Sequence, residues 1–427
     1  MRRAIVVGMG AGGVTAAKDL QGKFDVTMLE AGGEFRPFSV SLRKIDRLKN
    51  AGLLRDERLI RLLFPPMRVS RTRERMVLVR GIGLGGTTTL ATGNGLRADG
   101  PLRDIGINLD TEFARLAEEI PISAAHQRRW RPVTRRLFEI CGEMGMDPLP
   151  TPKMGDPRRC INCGHCVLGC PRGAKWDSRH FVDVARATGA TILTHSRVER
   201  VVSAGSRAVG VVVRSGLRRR ILRADLVVLA AGGFGTPAIL AKSGVKCEKS
   251  LFVDPVLCVA AEWKGALQNR DISMPFVVQK NGFIISPYFD YLSFFFNRTW
   301  NVPADDTLGL MVKIADTSSG SASTGRVTKE LTQRDNERLN AGVEVCSELF
   351  ERLGVDRKKL MMGTLNAGHP GGTLPLTRNE SETFHSDRLP ENLYVADATL
   401  FPSSPGNPPI LTIMAMAKRV AGICSRN

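Results

Sequence analysis

The sequence predicts an α/β fold: a doubly wound, dinucleotide-binding domain with a second, α+β domain inserted into it. Three observations carry that expectation. An apolar strand, AIVVG, runs into a glycine-rich turn at residues 8–13 and then into the helical stretch VTAAKDL. A second strand, KFDVTMLEAG, ends in an acid, Glu30, 17 residues beyond Gly13. Further apolar strands, LVVLAAGG from residue 226 and LYVAD from residue 393, lie far down the chain, so the nucleotide domain is assembled from separated segments.

The opening turn fits G-x-G-x-x-G with Gly8, Gly10 and Gly13. Gly8 permits the tight turn, Gly10 lets backbone approach a pyrophosphate, and Gly13, with Gly12 beside it, lets helix pack on strand. The helix N-terminus then faces the phosphates. Glu30 is placed to accept hydrogen bonds from both ribose hydroxyls and to repel a 2′-phosphate. A second glycine-rich loop, VRGIGLGGTTTLATGNGLR, occupies residues 79–97. Such a loop can wrap the pyrophosphate and bring backbone amides to a large flavin, with Gly85, Gly86, Thr87 and Asn94 as expected contacts.

The chain has 427 residues, enough for two or three domains with a full core. It carries 61 basic and 42 acidic residues, a formal net charge of +19. Such a surface attracts anions, and an acidic electron carrier or an anionic membrane is the expected partner. No nucleic-acid motif is present. No apolar run reaches the length of about 18 residues that a membrane span needs. The first strand starts at Ala4, leaving no room for a cleavable signal, so a cytoplasmic protein is expected, at most peripheral to a membrane.

Four of the nine cysteines, Cys160, Cys163, Cys166 and Cys170, stand at C-x2-C-x2-C-x3-C with Pro171 next, as in bacterial ferredoxins. Thiolates at this spacing can hold an iron–sulfur cluster, 4Fe–4S ahead of 3Fe–4S. In two-cluster ferredoxins the fourth Cys serves the other cluster. With one run here, Cys170 joins the same cluster or a remote ligand replaces it. Zinc is the rival metal, although structural zinc sites pair C-x2-C units across a longer loop. Cysteines without metal are the third alternative. The remaining cysteines are scattered and read as core thiols. His165 reads as an outer donor or a solvated side chain.

Four stretches, in order, give the sequence a resemblance to the glucose–methanol–choline (GMC) oxidoreductases, an FAD-dependent family. They are the opening fingerprint, GIGLGGTTT, LVVLAAGGFGTPAILAKSGV (226–245), and HPGGT…NLYVADATLFPSSPGNPPILTIMAMAKRVAG (369–422). The stretch from Cys160 onward looks most like the long-chain alcohol oxidase and sugar dehydrogenase branches. The resemblance implies FAD, oxidation of an alcohol carbon by hydride transfer to flavin N5, and two site residues by motif. His369 in GHPGGT matches the proton-accepting His, a residue type that can be a neutral base near pH 7. Asn407 in GNPP matches the group that hydrogen-bonds the same oxygen. Val198 is expected against adenine, Asp397 near the ribityl or pyrophosphate, and Ala231 and Pro408 among the other cofactor contacts.

The resemblance also implies the layout. Residues 1–120, 156–245 and 366–427 form the FAD domain, with 156–175 as the cysteine loop, and residues 121–155 and 246–365 form the substrate domain. Residues 276–300 are expected as strands, 315–324 as a polar, Ser-rich loop, and 334–355 as a helix. RRWRPVTRRLFEI is expected as a basic helix. The function implied is a dehydrogenase of a small alcohol that passes electrons singly through a cluster to a protein, partner subunit or quinone. The alternatives are a flavin/iron–sulfur reductase of a carbonyl or C=C bond, and an electron-transfer subunit of a larger complex.

Overall fold

The structure, a computed structural model, describes residues 1–323 and 327–426. Its nucleotide domain is organised around a five-stranded sheet in which Arg2–Val7 lies centrally. Phe24–Leu29 and Leu226–Leu229 flank it, with Thr191–Leu193 and Leu393–Val395 at the edges. Every pairing is parallel. The central strands are apolar because they are covered on both faces, and Ala4–Val7 and Leu226–Leu229 are buried throughout. One cover is the helix Ala11–Leu20, packed against the C-terminal helix Ile410–Cys424. The two ends of the chain thus build one wall.

The second domain is a larger, mostly antiparallel sheet. Val256–Glu262, Thr307–Ile314, Phe283–Pro287 and Phe276–Lys280 follow one another in it. Two further segments join this sheet. The hairpin Met67–Arg71/Val77–Gly81 and the short strand Asn366–Ala367 pair into this larger sheet, although both were expected in the FAD domain. Asn366–Ala367 runs parallel to Val77–Gly81 and antiparallel to Val256–Glu262, while Ile82 and Gly368, just beyond these strands, face the nucleotide domain's cavity.

The expected helices are Pro132–Glu143 and Gln333–Arg352. The second starts at a reciprocal cap between Thr332 and Asp335. Residues 276–300 are not all strand: Tyr291–Phe296 is a helix, with Asp290 accepting from the Leu292 N–H at 3.0 Å. Of the Ser-rich stretch 315–324, residue 324 lies outside the described residues. No helix among the described residues is long and apolar enough to cross a membrane.

Candidate active site

A cavity of about 1270 Å³ opens at the C-terminal ends of the parallel strands, where such sheets bind nucleotides. Gly8, Gly10, Gly12, Glu30, Gly86, Thr87, Val198, Ala231 and Asp397 line it. Gly8 adopts φ +98°, and a Cβ on it would sit 2.3 Å from the Ala230 carbonyl oxygen. At Gly12 a Cβ would fall 1.6 Å from the Ala396 oxygen, so the helix lies against the C-terminal strand with backbone alone between them. Gly13 stands behind the lining, where a Cβ would meet the Gly8 oxygen at 1.9 Å, as a packing glycine should.

Two acids of the lining, Glu30 and Asp397, are more engaged than expected. Glu30 accepts from the N–H groups of Met9 (3.1 Å), Gly32 (2.8 Å) and Gly83 (3.2 Å), clamping the two glycine loops together. Burial raises its pKa and those donors oppose the rise. Asp397 accepts from Gly232 N at 2.8 Å, Thr236 Oγ1 at 2.5 Å and Thr399 Oγ1 at 2.7 Å. Sequence reasoning missed Arg80, which lines the cavity over the Phe234 ring at 6.0 Å. Burial, then Arg197 and Arg68, lower its pKa. It makes no ion pair among the described residues, so its charge is available to a pyrophosphate. Its place one residue ahead of Gly81 was the available signal.

Gly85, Asn94, Asn407 and Pro408 do not line this cavity. Asn94 is buried, with its amide on Met274 Sδ at 3.1 Å and its oxygen on Lys153 Nζ. Asn407 pairs with Gln279 at 3.1 Å. His369 lines the cavity, and Asn407 stands apart from it, held from the second domain by Gln279.

Beneath His369 lies a buried ionic ladder that the sequence did not announce. His369 Nδ1 is 3.7 Å from Asp254 Oδ2. Asp254, fully buried and at φ +51°, pairs with Lys313 at 2.5 Å and accepts from Ser404 Oγ. Its backbone N–H donates to Asp316 at 2.8 Å, and Asp316 pairs with buried Lys329 at 2.7 Å. Burial pushes the His369 pKa down from 6.5, Asp254 pulls it up, and Lys313 pushes it down again. Burial thus favours the neutral imidazole, the form a base needs. At 3.7 Å the carboxylate does not hydrogen-bond Nδ1, which has no partner among the described residues, but its negative charge favours the tautomer with the proton on Nδ1, which leaves Nε2 free to take one.

A second, smaller pocket is lined by all four of Cys160, Cys163, Cys166 and Cys170. Burial raises the Cys163 pKa, and the other three sulfurs raise it further. Cys170 Sγ accepts from Ala174 N at 3.3 Å and Lys175 N at 3.5 Å. Lys153 and Lys175 line the same pocket. Burial lowers the pKa of both lysines, Lys153 to about 7, and nearby Cys166 pulls each the other way. Among the described residues no three His, Cys, Asp or Glu side chains are grouped to hold a metal ion.

The two pockets stand back to back. Thr88 and Ala91 line the large cavity and Thr92 lines the cysteine pocket. Lys175 Nζ bolts the partition by donating to the carbonyls of Thr88 (2.8 Å), Thr89 (3.0 Å) and Ala91 (2.8 Å).

The GMC oxidoreductase family profile matches residues 106–261. Over that stretch the chain resembles the GMC oxidoreductases. Its GMC relatives include a GMC-type oxidoreductase of Mycobacterium tuberculosis, 27% identical over 98% of this chain and 75% of that one. A long-chain-alcohol oxidase of Arabidopsis thaliana is 23% identical over 66% of this chain and 48% of its own length. Among solved structures, pyridoxine 4-oxidase from Mesorbium loti superposes with a TM-score of 0.73 over 99% of both chains at 17% identity, a shared fold. The GMC fold takes FAD, and the glycine cradle and Arg80, which makes no ion pair among the described residues, fit its pyrophosphate.

Proposed function

We propose that this GMC protein is a dehydrogenase that oxidises a CH–OH carbon and releases the electrons singly, through an iron–sulfur cluster on the four cysteines, to an acceptor other than oxygen. Bound FAD supplies the two-electron acceptor. His369, neutral and backed by Asp254, takes the hydroxyl proton at Nε2. Lys313 and Ser404 hold Asp254 so that its carboxylate stays against Nδ1. The cysteine thiolates hold the cluster, which supplies a one-electron outlet, while Lys153 and Lys175 offset the thiolate charge.

The observation that carries this reading is the partition of residues 88–92, thin enough that one loop faces both pockets. Purification without oxygen, with visible spectra and with iron and zinc analysis, tests it. The expected protein contains releasable FAD and iron. Cys163→Ala should lose the iron, keep the FAD, and still be reduced by substrate, while transfer to a one-electron acceptor collapses. Protein without iron, or a variant with full acceptor activity, would sink the outlet. A second reading then applies, with oxygen as acceptor and the cysteines structural. The relative named as a long-chain-alcohol oxidase favours it, and fast reoxidation by air would identify it.

A further inference from the structure

An electron leaving the cysteine pocket needs a partner seated on it, and the surface there has a particular composition. Arg128, Arg129, Arg135, Arg159 and Arg172 are all exposed. None makes an ion pair among the described residues. The pairs of this stretch fall instead to Arg136 with Glu143 and to Arg158 with Asp156. Three of the five guanidiniums, those of Arg129, Arg135 and Arg159, are fixed by carbonyls, which orient them and leave their charge in place. Arg129 donates to the oxygens of Cys160 and of Pro157 (2.9 Å). Arg159 donates to the Arg172 oxygen at 2.8 Å, and Arg135 to the Arg128 oxygen at 3.0 Å. Asn162 ties the loop to the Arg129 carbonyl at 2.9 Å. Arg129 and Arg172 line the cysteine pocket itself. Between Cys160 and Asn162 stands Ile161, 56% exposed, the one large apolar side chain bared on the loop.

We infer that this collar is the docking face of a small acidic protein that carries one electron at a time, an inference that rests on reading the four cysteines as cluster ligands. The cation chemistry favours a protein over a membrane. From residue 128 to 175 every exposed cation is Arg, while the two lysines, Lys153 and Lys175, bond inward to Asn94 and Ser273 and to the partition carbonyls. Planar, pre-oriented guanidiniums match discrete carboxylates bidentately, and arginine is enriched at protein interfaces where lysine is depleted. A membrane-seeking surface would carry a wide apolar face to insert, and here there is a single isoleucine. Ile161 would meet an apolar spot on the carrier and exclude water close to the outlet.

The test is calorimetric binding of an acidic ferredoxin to the purified holoprotein at low and high salt, with iron measured on the same samples. Binding should appear at low salt and weaken steeply as salt screens it. Arg128→Glu/Arg172→Glu should weaken it by about tenfold or more. The charge-matched control Arg218→Glu/Arg220→Glu, on the exposed strand Arg218–Arg223, should leave it near wild type. Absence of binding at low salt overturns the inference, as does equal loss in both double variants, which means attraction by net charge alone. Collar-dependent binding to phosphatidylserine vesicles with none to the ferredoxin also overturns it and makes the face a membrane contact. Iron separates the two readings: collar-dependent binding by iron-free protein upholds the docking face and removes the cluster. Iron-loaded protein without such binding does the reverse.

Discussion

Asp254 sits at the junction of base and ladder, where a carboxylate at φ +51° touches His369, Lys313 and Ser404 together. Two substitutions separate its roles. His369→Ala should slow flavin reduction by substrate roughly 10²–10⁴-fold, the usual contribution of a general base, with FAD occupancy unchanged; stopped-flow absorbance reads the rate. In the parent protein that rate should rise with pH, with its acid limb below that of an ordinary imidazole, because burial favours the basic form. Asp254→Asn removes the group that raises the His369 pKa and leaves Lys313 to lower it further. The rate should fall and its acid limb should move to lower pH. The same change strands a buried ammonium, a loss of about 3–5 kcal/mol when one partner of such a pair is removed. Asp254→Asn/Lys313→Met should therefore recover stability in urea without restoring the rate. His369 was legible as a residue type inside a motif. Asp254 was not, because its partners come from residues 313, 369 and 404, and no local spacing records that meeting.

Among the elements, the short turn Ala125–Arg129 and the helix Pro132–Glu143 behind the collar hang on one histidine. His126 Nδ1 accepts from Trp130 Nε1 at 2.9 Å, so its other nitrogen donates to the Thr151 oxygen at 2.8 Å. Both contacts require the neutral ring, and burial pushes its pKa down from 6.5 to about 4. The sign follows by linkage. Between those values the unfolded chain binds a proton that the native one refuses, so stability is full above about 6.5 and is lost as pH falls towards 4. Denaturant midpoints measured from pH 7 to pH 4 should show this loss, and His126→Gln should flatten that part of the curve. The two long helices of this region could be read from periodicity, with a basic, exposed face on one and a capping pair on the other. Tyr291–Phe296 could not. A short aromatic run suits strand and helix alike, and the deciding signal was Asp290 as a side-chain cap. The hairpin 67–81 was misplaced for a different reason: its pairing partner, Asn366–Ala367, lies about 290 residues away and is only two residues long.

At the scale of the whole molecule, the nucleotide fingerprint and the cysteine spacing were both plain in the sequence, but their adjacency was not. It depends on Lys175 reaching back to carbonyls 84–87 positions earlier. Lys175→Met should consequently lower FAD and iron together, measured as flavin and iron per polypeptide, whereas Cys163→Ala lowers iron alone. The parallel sheet has a consequence for how the protein is made. Its edge strand Leu393–Val395 pairs with Leu226–Leu229, and Gly12 packs against the carbonyl of Ala396. Domains form from the N-terminus as the ribosome delivers them, yet this one cannot close until nearly the whole chain has emerged. The growing polypeptide therefore exposes an unfinished cradle for most of its synthesis. The vitamin-derived group can be captured only by a finished chain, so a ribosome that stalls before residue 393 leaves a product unable to hold it.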